Sequence, residues 1–102
     1  MSKASDDVLA ERQRQIGAEG FDAAHDDGHD DDRALARASF CYLGHYVRRQ
    51  WVFGHDPENY KAEEPPDEWP WDFEWWKPKD PRRDLVRAAA LLLAQIEQMD
   101  RN

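Results

Sequence analysis

The sequence predicts a small all-α domain: three helices with an ordered Trp/Pro-rich loop between the second and third. Three observations carry this. Residues 85–99 place apolar side chains at a 4-3-4-3 spacing behind a proline, residues 35–47 carry two such rows, and helix starts and stops punctuate the chain where those rows begin and end. At 102 residues, with 40% hydrophobic and 35% charged residues, the chain is one domain with a modest core. Five tryptophans enlarge what that core can bury.

The first helix is expected to begin near Ser5-Asp6-Asp7, where a serine caps and two aspartates complement the positive helix end. Val8, Leu9, Arg12 and Ile16 form a weak stripe, and Gly17 with Gly20 closes it. Together with the polar stretch behind it this makes an acidic N-terminal segment, residues 1–32. The second helix is expected from Asp30 to about Phe53, with Gly54 as the stop. One row is Leu35, Ala38, Tyr42 and Tyr46; the other is Ala36, Phe40, Leu43 and Val47. Two rows mean contacts over a broad arc, as the central helix or as an oligomer contact.

Residues 54–80 hold Pro57, Pro65, Pro66, Pro70 and Pro78 and four of the five tryptophans. Disordered segments are poor in aromatics, so WPWDFEWWKP reads as an ordered loop laid over the helices, its rings a lid on the core. The third helix, residues 81–101, has the clearest signals. Asp80 caps, Pro81 takes the first helical position, and Leu85, Ala89, Leu92, Ile96 and Met99 form the stripe, widened by Val86, Leu91 and Leu93.

Charge sorts the function classes. Residues 1–32 hold ten acids against Lys3, Arg12 and Arg14, a net −7, whereas residues 33–102 hold twelve acids against eleven bases, a net −1. Such a surface disfavours direct nucleic-acid binding, which needs Lys and Arg to release counterions. It favours a cation or a basic protein surface. With no long apolar run and no apolar stretch in MSKASDDV, neither a membrane span nor a secretory signal is expected. A lone Cys41 cannot form an internal disulfide, which fits a reducing cytoplasm, and among apolar neighbours it reads as a small core residue.

Three constellations carry candidate chemistry. In HDDGHDDD, His25 and His29 stand four apart among Asp26, Asp27, Asp30, Asp31 and Asp32, an oxygen-rich set suited to magnesium, manganese or calcium. A calcium loop aligned on Gly28 fails, because Ala34 stands where its bidentate glutamate belongs. The same residues also read as a solvated helix start capped by Asp30, or as an acidic surface for a partner. Arg82, Arg83 and Arg87, with Lys77 and Lys79 before them, put positive charge at the positive end of a helix. Ion pairs with the N-terminal acids offset that, and so does a phosphate bound at the helix end. Trp71, Trp75 and Trp76 either stack on a base or fill core volume. His45, on the second helix, reads as a packed residue.

The stretches VLAERQRQIGAEGFDAAHDDGH, DDRALARASFCYLGHY and WPWDFEWWKPKDPRRDLVRAAALLLAQIEQMDR resemble small phage and prophage proteins of an ERxRQ…HDD…WPW…WWKP…RRDLVKA type. The resemblance covers most of the chain and implies an accessory protein of a mobile element. A narrower one is to MazG-like all-α nucleotide pyrophosphohydrolases: Glu11, Arg12, Gln15, His25 and the closing helix from Leu85 to Arg101 fit their outline. It implies magnesium or manganese held by acidic helices. Here Glu97 and Asp100 give one ExxD and the second helix has no glutamate at that spacing, so either Asp30, Asp31 and Asp32 substitute as ligands or the scaffold is MazG-like without catalysis.

Three functions follow in order. The first is a non-catalytic accessory protein binding a basic host protein through Asp26, Asp27, Asp30, Asp31 and Asp32. The second is a pyrophosphohydrolase in which metal on Asp30, Asp31, Glu97 and Asp100 activates water while Arg82, Arg83 and Arg87 hold phosphate. The third is a nucleotide sequesterer that needs only the arginines and tryptophans. The wide apolar faces of the second and third helices predict a homo-oligomer.

Overall fold

The computed structural model describes residues 2–18, 33–48 and 57–101. They form four helices and no strand: α1, Lys3–Ala18; α2, Ala34–Arg48; α3, Pro57–Ala62; and α4, Pro81–Arg101, with a single 3-10 turn at Phe73–Trp75. The all-α expectation holds. None of these helices is long and apolar enough to cross a membrane.

Helix α1 starts earlier than Ser5. Its cap is Ser2, whose Oγ accepts the Ser5 N–H at 3.1 Å while its carbonyl accepts the Asp6 N–H at 3.0 Å. The expected stripe also shifts. Leu9 is exposed, and the buried face is polar: Glu11, Arg12 and Gln15.

Helix α2 does not run on from Asp30, which lies outside the described residues, as do residues 49–53. Arg33 has φ 54°, a left-handed conformation that cannot sit inside a right-handed helix, so the helix starts at Ala34. An arginine in that conformation offers no side-chain cap. Gln95 of α4 serves instead, its Oε1 accepting the Ala36 N–H at 3.2 Å.

The loop expected over residues 54–80 contains α3, entered through Pro57 at the first helical position. Its ordered, lid-like packing holds. Trp69 and Trp76 are buried with Leu35, Ala38, Cys41, Tyr42, Ala88, Leu91 and Ala94, and Trp71 and Trp75 pack against this core. The indole N–H groups are satisfied inside the loop, Trp69 on the Asp72 carbonyl at 3.1 Å and Trp76 on the Glu63 carbonyl at 2.9 Å.

Helix α4 is capped as expected, Asp80 Oδ1 accepting the Arg83 N–H at 2.8 Å. It is α4, and not α2, that holds the centre. On one side α1 runs parallel to it, linked by Asp7–Arg82 near one end and Arg12–Glu97 near the other. On the other side α2 runs antiparallel, linked by Ala36–Gln95 and by Ser39 Oγ donating to the Ala88 carbonyl at 2.7 Å. Close approach on both flanks calls for small side chains, and Ala88, Ala90 and Ala94 provide them. The 4-3-4-3 row therefore faces outward: Leu92, Ile96 and Met99 are exposed. On α2 the row of Phe40, Leu43 and Val47 is exposed too, while Leu35, Ala38 and Tyr42 are buried. The result is one flat layer of three helices with the Trp loop on a single side, 41 × 34 × 20 Å overall.

Candidate functional site

The described polar side chains converge where the Trp loop meets α1 and α4. Glu11 is fully buried, and Arg14 grips its carboxylate with two bonds of 2.8 and 2.7 Å. Gln15 Nε2 donates at 3.2 Å, and Arg83 reaches across from α4 to the same group. Burial alone would raise the Glu11 pKa. The Arg14 hydrogen bonds and the charges of Arg14, Arg83 and Arg87 outweigh it and hold the carboxyl below its usual value. Glu11 therefore stays an anion that fastens α1 to α4.

Beside it lies a cavity of about 20 Å³, lined by Glu11, Gln15, Tyr42, Trp69, Trp75 and Arg87. Gln15 Oε1 is buried there without a partner among the described residues. The space has the dimensions of one water molecule, and a small-molecule pocket is more than tenfold larger.

A second node sits at the next residue of α4. Asp84 is fully buried and accepts the Tyr60 O–H at 2.6 Å and the Lys79 N–H at 3.1 Å. Burial pushes its pKa up against these bonds and against Arg87. Arg87 stands 3.6 Å from Asp84, donates to the Lys77 carbonyl and lies 5.8 Å over the Tyr42 ring. His45 bonds the Tyr60 carbonyl at 2.7 Å. A carbonyl only accepts, so Nε2 carries the proton, and burial holds the His45 pKa down. His45 is a packed residue, as the sequence suggests, edge-on to Trp76. Cys41 is buried, and burial pushes its thiol pKa up to about 11.

The arginine trio does not converge on an open helix end. Arg82 pairs with Asp7 at 2.9 Å, Arg83 with Glu11 and Arg87 with Asp84, while Asp80 occupies the α4 N-terminus. Of the two origins the sequence allows for this charge, the structure contains the ion pairs with α1. The rings engage one another: Tyr42 stacks on Trp76 at 4.9 Å, and Trp69 meets Trp71 and Trp76 edge-on at 5.4 and 5.0 Å. Lys77 Nζ lies 5.3 Å over Trp75.

Among the described residues, no three His, Cys, Asp or Glu side chains come together to hold a metal. Glu97 accepts from Arg12 Nε at 3.0 Å, and Asp100 is exposed. His25, His29, Asp26, Asp27, Asp30, Asp31 and Asp32 lie outside the described residues.

Sequence reasoning singles out neither Tyr60 nor Asp84, and it names Glu11 and Gln15 only through the MazG-like outline. For Glu11 and Gln15 a signal exists in their i, i+4 spacing on a helix with few apolar residues. Asp84 carries none, because an acid in a first turn already has a reason in the helix dipole. No protein family, curated protein or solved structure matches the chain.

Proposed function

We propose that this is a non-catalytic binding protein, an accessory protein of phage or prophage type. It would act in the cytoplasm of a bacterial host by presenting the acidic surface Asp26, Asp27, Asp30, Asp31 and Asp32 to a basic host protein. One observation carries the reading: the arginines along the α1–α4 seam are engaged in internal ion pairs. Arg82 and Arg83 hold Asp7 and Glu11, Arg14 holds Glu11, and Arg12 holds Glu97. The five aspartates of residues 26–32 are half of the ten acids that make residues 1–32 net −7. Charge of one sign steers association with a surface of the other and suppresses wrong partners.

Of the groups a pyrophosphohydrolase would use, those among the described residues are engaged elsewhere: Glu97 pairs with Arg12, and Arg82, Arg83 and Arg87 pair with Asp7, Glu11 and Asp84. The enclosed cavity of about 20 Å³ among the tryptophans has no room for a nucleobase; an open groove of about 210 Å³ lies outside it at Glu74, Trp75 and Lys77.

Affinity capture from bacterial lysate tests the proposal. The full chain should retain proteins at low salt and release them as salt rises, and a variant with the five aspartates changed to asparagine should retain none of them. Capture indifferent to both salt and substitution contradicts it.

A further inference from the structure

Among the described residues, the three-helix layer has one face covered and one bare. On α2, Cys41 and Tyr42 pack into the core beneath the Trp loop and His45 meets Trp76; on α4, Arg87 and Leu91 line the Trp pocket. At 100° per residue, Phe40, Leu43 and Val47 on α2 and Leu85, Ala89, Leu92, Ile96 and Met99 on α4 fall on the opposite flanks. Both rows therefore open on the face away from the loop. Six of these side chains are 44–66% exposed, and none of the eight is charged.

Taking about half of the ~200 Å² that a side chain of this size presents, the six expose on the order of 600 Å². That is at the upper end of the ~300–600 Å² patch of an ordinary monomer. With its flanks it approaches the ~800 Å² per partner of a standard specific interface.

The face also fits a copy of itself. Its α4 row runs Leu85, Ala89, Leu92, Ile96, Met99, with Leu92 at the middle. Turned end to end across Leu92, small Ala89 meets large Ile96, and Leu85 meets Met99. At the Leu85 end an open apolar groove of about 270 Å³ lies between α1 and α4, lined by Ala4, Val8, Leu85, Val86 and Arg82. At the other end Met99 protrudes, 66% exposed and the most exposed side chain of the row. Leu85, which lines the groove, and Met99 each stand seven residues from Leu92. The charges match as well, since Arg82 borders the groove and Asp100 adjoins the knob.

We infer that the protein forms a two-fold homodimer in which the α4 helices pair antiparallel about Leu92. Each Met99 fills the Ala4–Val8–Leu85–Val86 groove of the other copy, and each Asp100 faces the other's Arg82. Methionine suits such a role because its flexible thioether adapts to an irregular groove. A two-fold contact of this kind uses one patch twice and closes on itself. The inference is independent of the acidic surface, whose binding test uses other residues.

Sedimentation equilibrium of the full chain should give twice 12.0 kDa at micromolar concentration. Ile96→Glu, at a position already 53% exposed, should give 12.0 kDa with an unchanged far-ultraviolet circular dichroism spectrum. Met99→Ala should weaken the dimer about tenfold or more. Under mild oxidation Leu92→Cys should cross-link the two copies, because its partner is itself across the axis, whereas Leu9→Cys on α1 should not. A 12.0-kDa mass at every concentration overturns the inference and leaves the face to a partner of another kind. A dimer that survives Ile96→Glu, or that Leu92→Cys fails to cross-link, overturns it equally.

Discussion

Asp84 reports how the polar interior is held. Its carboxylate accepts from Tyr60 and Lys79, and burial nevertheless drives its pKa up, so the bonds matter more than the charge. Asp84→Ala strands the Tyr60 hydroxyl and should cost about 2–3 kcal/mol in urea unfolding. Asp84→Asn keeps an acceptor for Tyr60 and should cost less than the alanine. His45 adds a pH dependence. Its folded pKa lies below the ordinary 6.5, so below that pH the unfolded chain takes up the proton first. The His45 contribution is complete above pH 6.5 and is lost as pH falls through the folded value. Asp84, with its raised pKa, runs in the opposite sense, and comparing variants cancels it. In melts at pH 7.5 and 5.5, His45→Gln should show a smaller loss on acidification than the unsubstituted protein. Cys41, buried with its pKa at about 11, should react with a disulfide reagent only as the chain unfolds.

At the scale of elements, α4 and the Trp loop were the most legible. Asp80-Pro81 marks a helix start wherever it falls, and four tryptophans in one segment have to be buried somewhere. What the periodicity could not say was which side of α4 faces inward. A 4-3-4-3 row has the same pattern whether it packs against its own chain or lies bare. The residues that do face inward, Ala88, Ala90 and Ala94, look neutral in a sequence. Helix α1 misled for a related reason: its buried face is Glu11, Arg12 and Gln15, whose partners Arg83 and Glu97 lie more than seventy residues away. Of the candidate site, the arginine–acid pairing was legible from charge alone, while Tyr60–Asp84 and the Gln15 cavity needed the fold. The loop's role can be measured directly. Trp76→Ala should cost about 3–5 kcal/mol as a core truncation, and Phe73→Ala, at a position 73% exposed, less than about 0.5 kcal/mol.

The described residues form a layer 20 Å thin, with the Trp loop on one side, exposed apolar rows on the other, and ion pairs binding the helices. Its polar interior is spent on structure, and its distinctive features are surfaces. The function proposed for it is binding by contact, without nucleotide chemistry. A matrix of thermal melts with magnesium, manganese and a panel of nucleotides, singly and combined, tests this most directly. A ligand at a hundred times its dissociation constant adds about 2.7 kcal/mol, several degrees for a domain this size. The melting temperature should be unmoved by any combination. A rise that requires metal and nucleotide together would contradict it and return Asp30, Asp31, Glu97 and Asp100 to the centre of the mechanism.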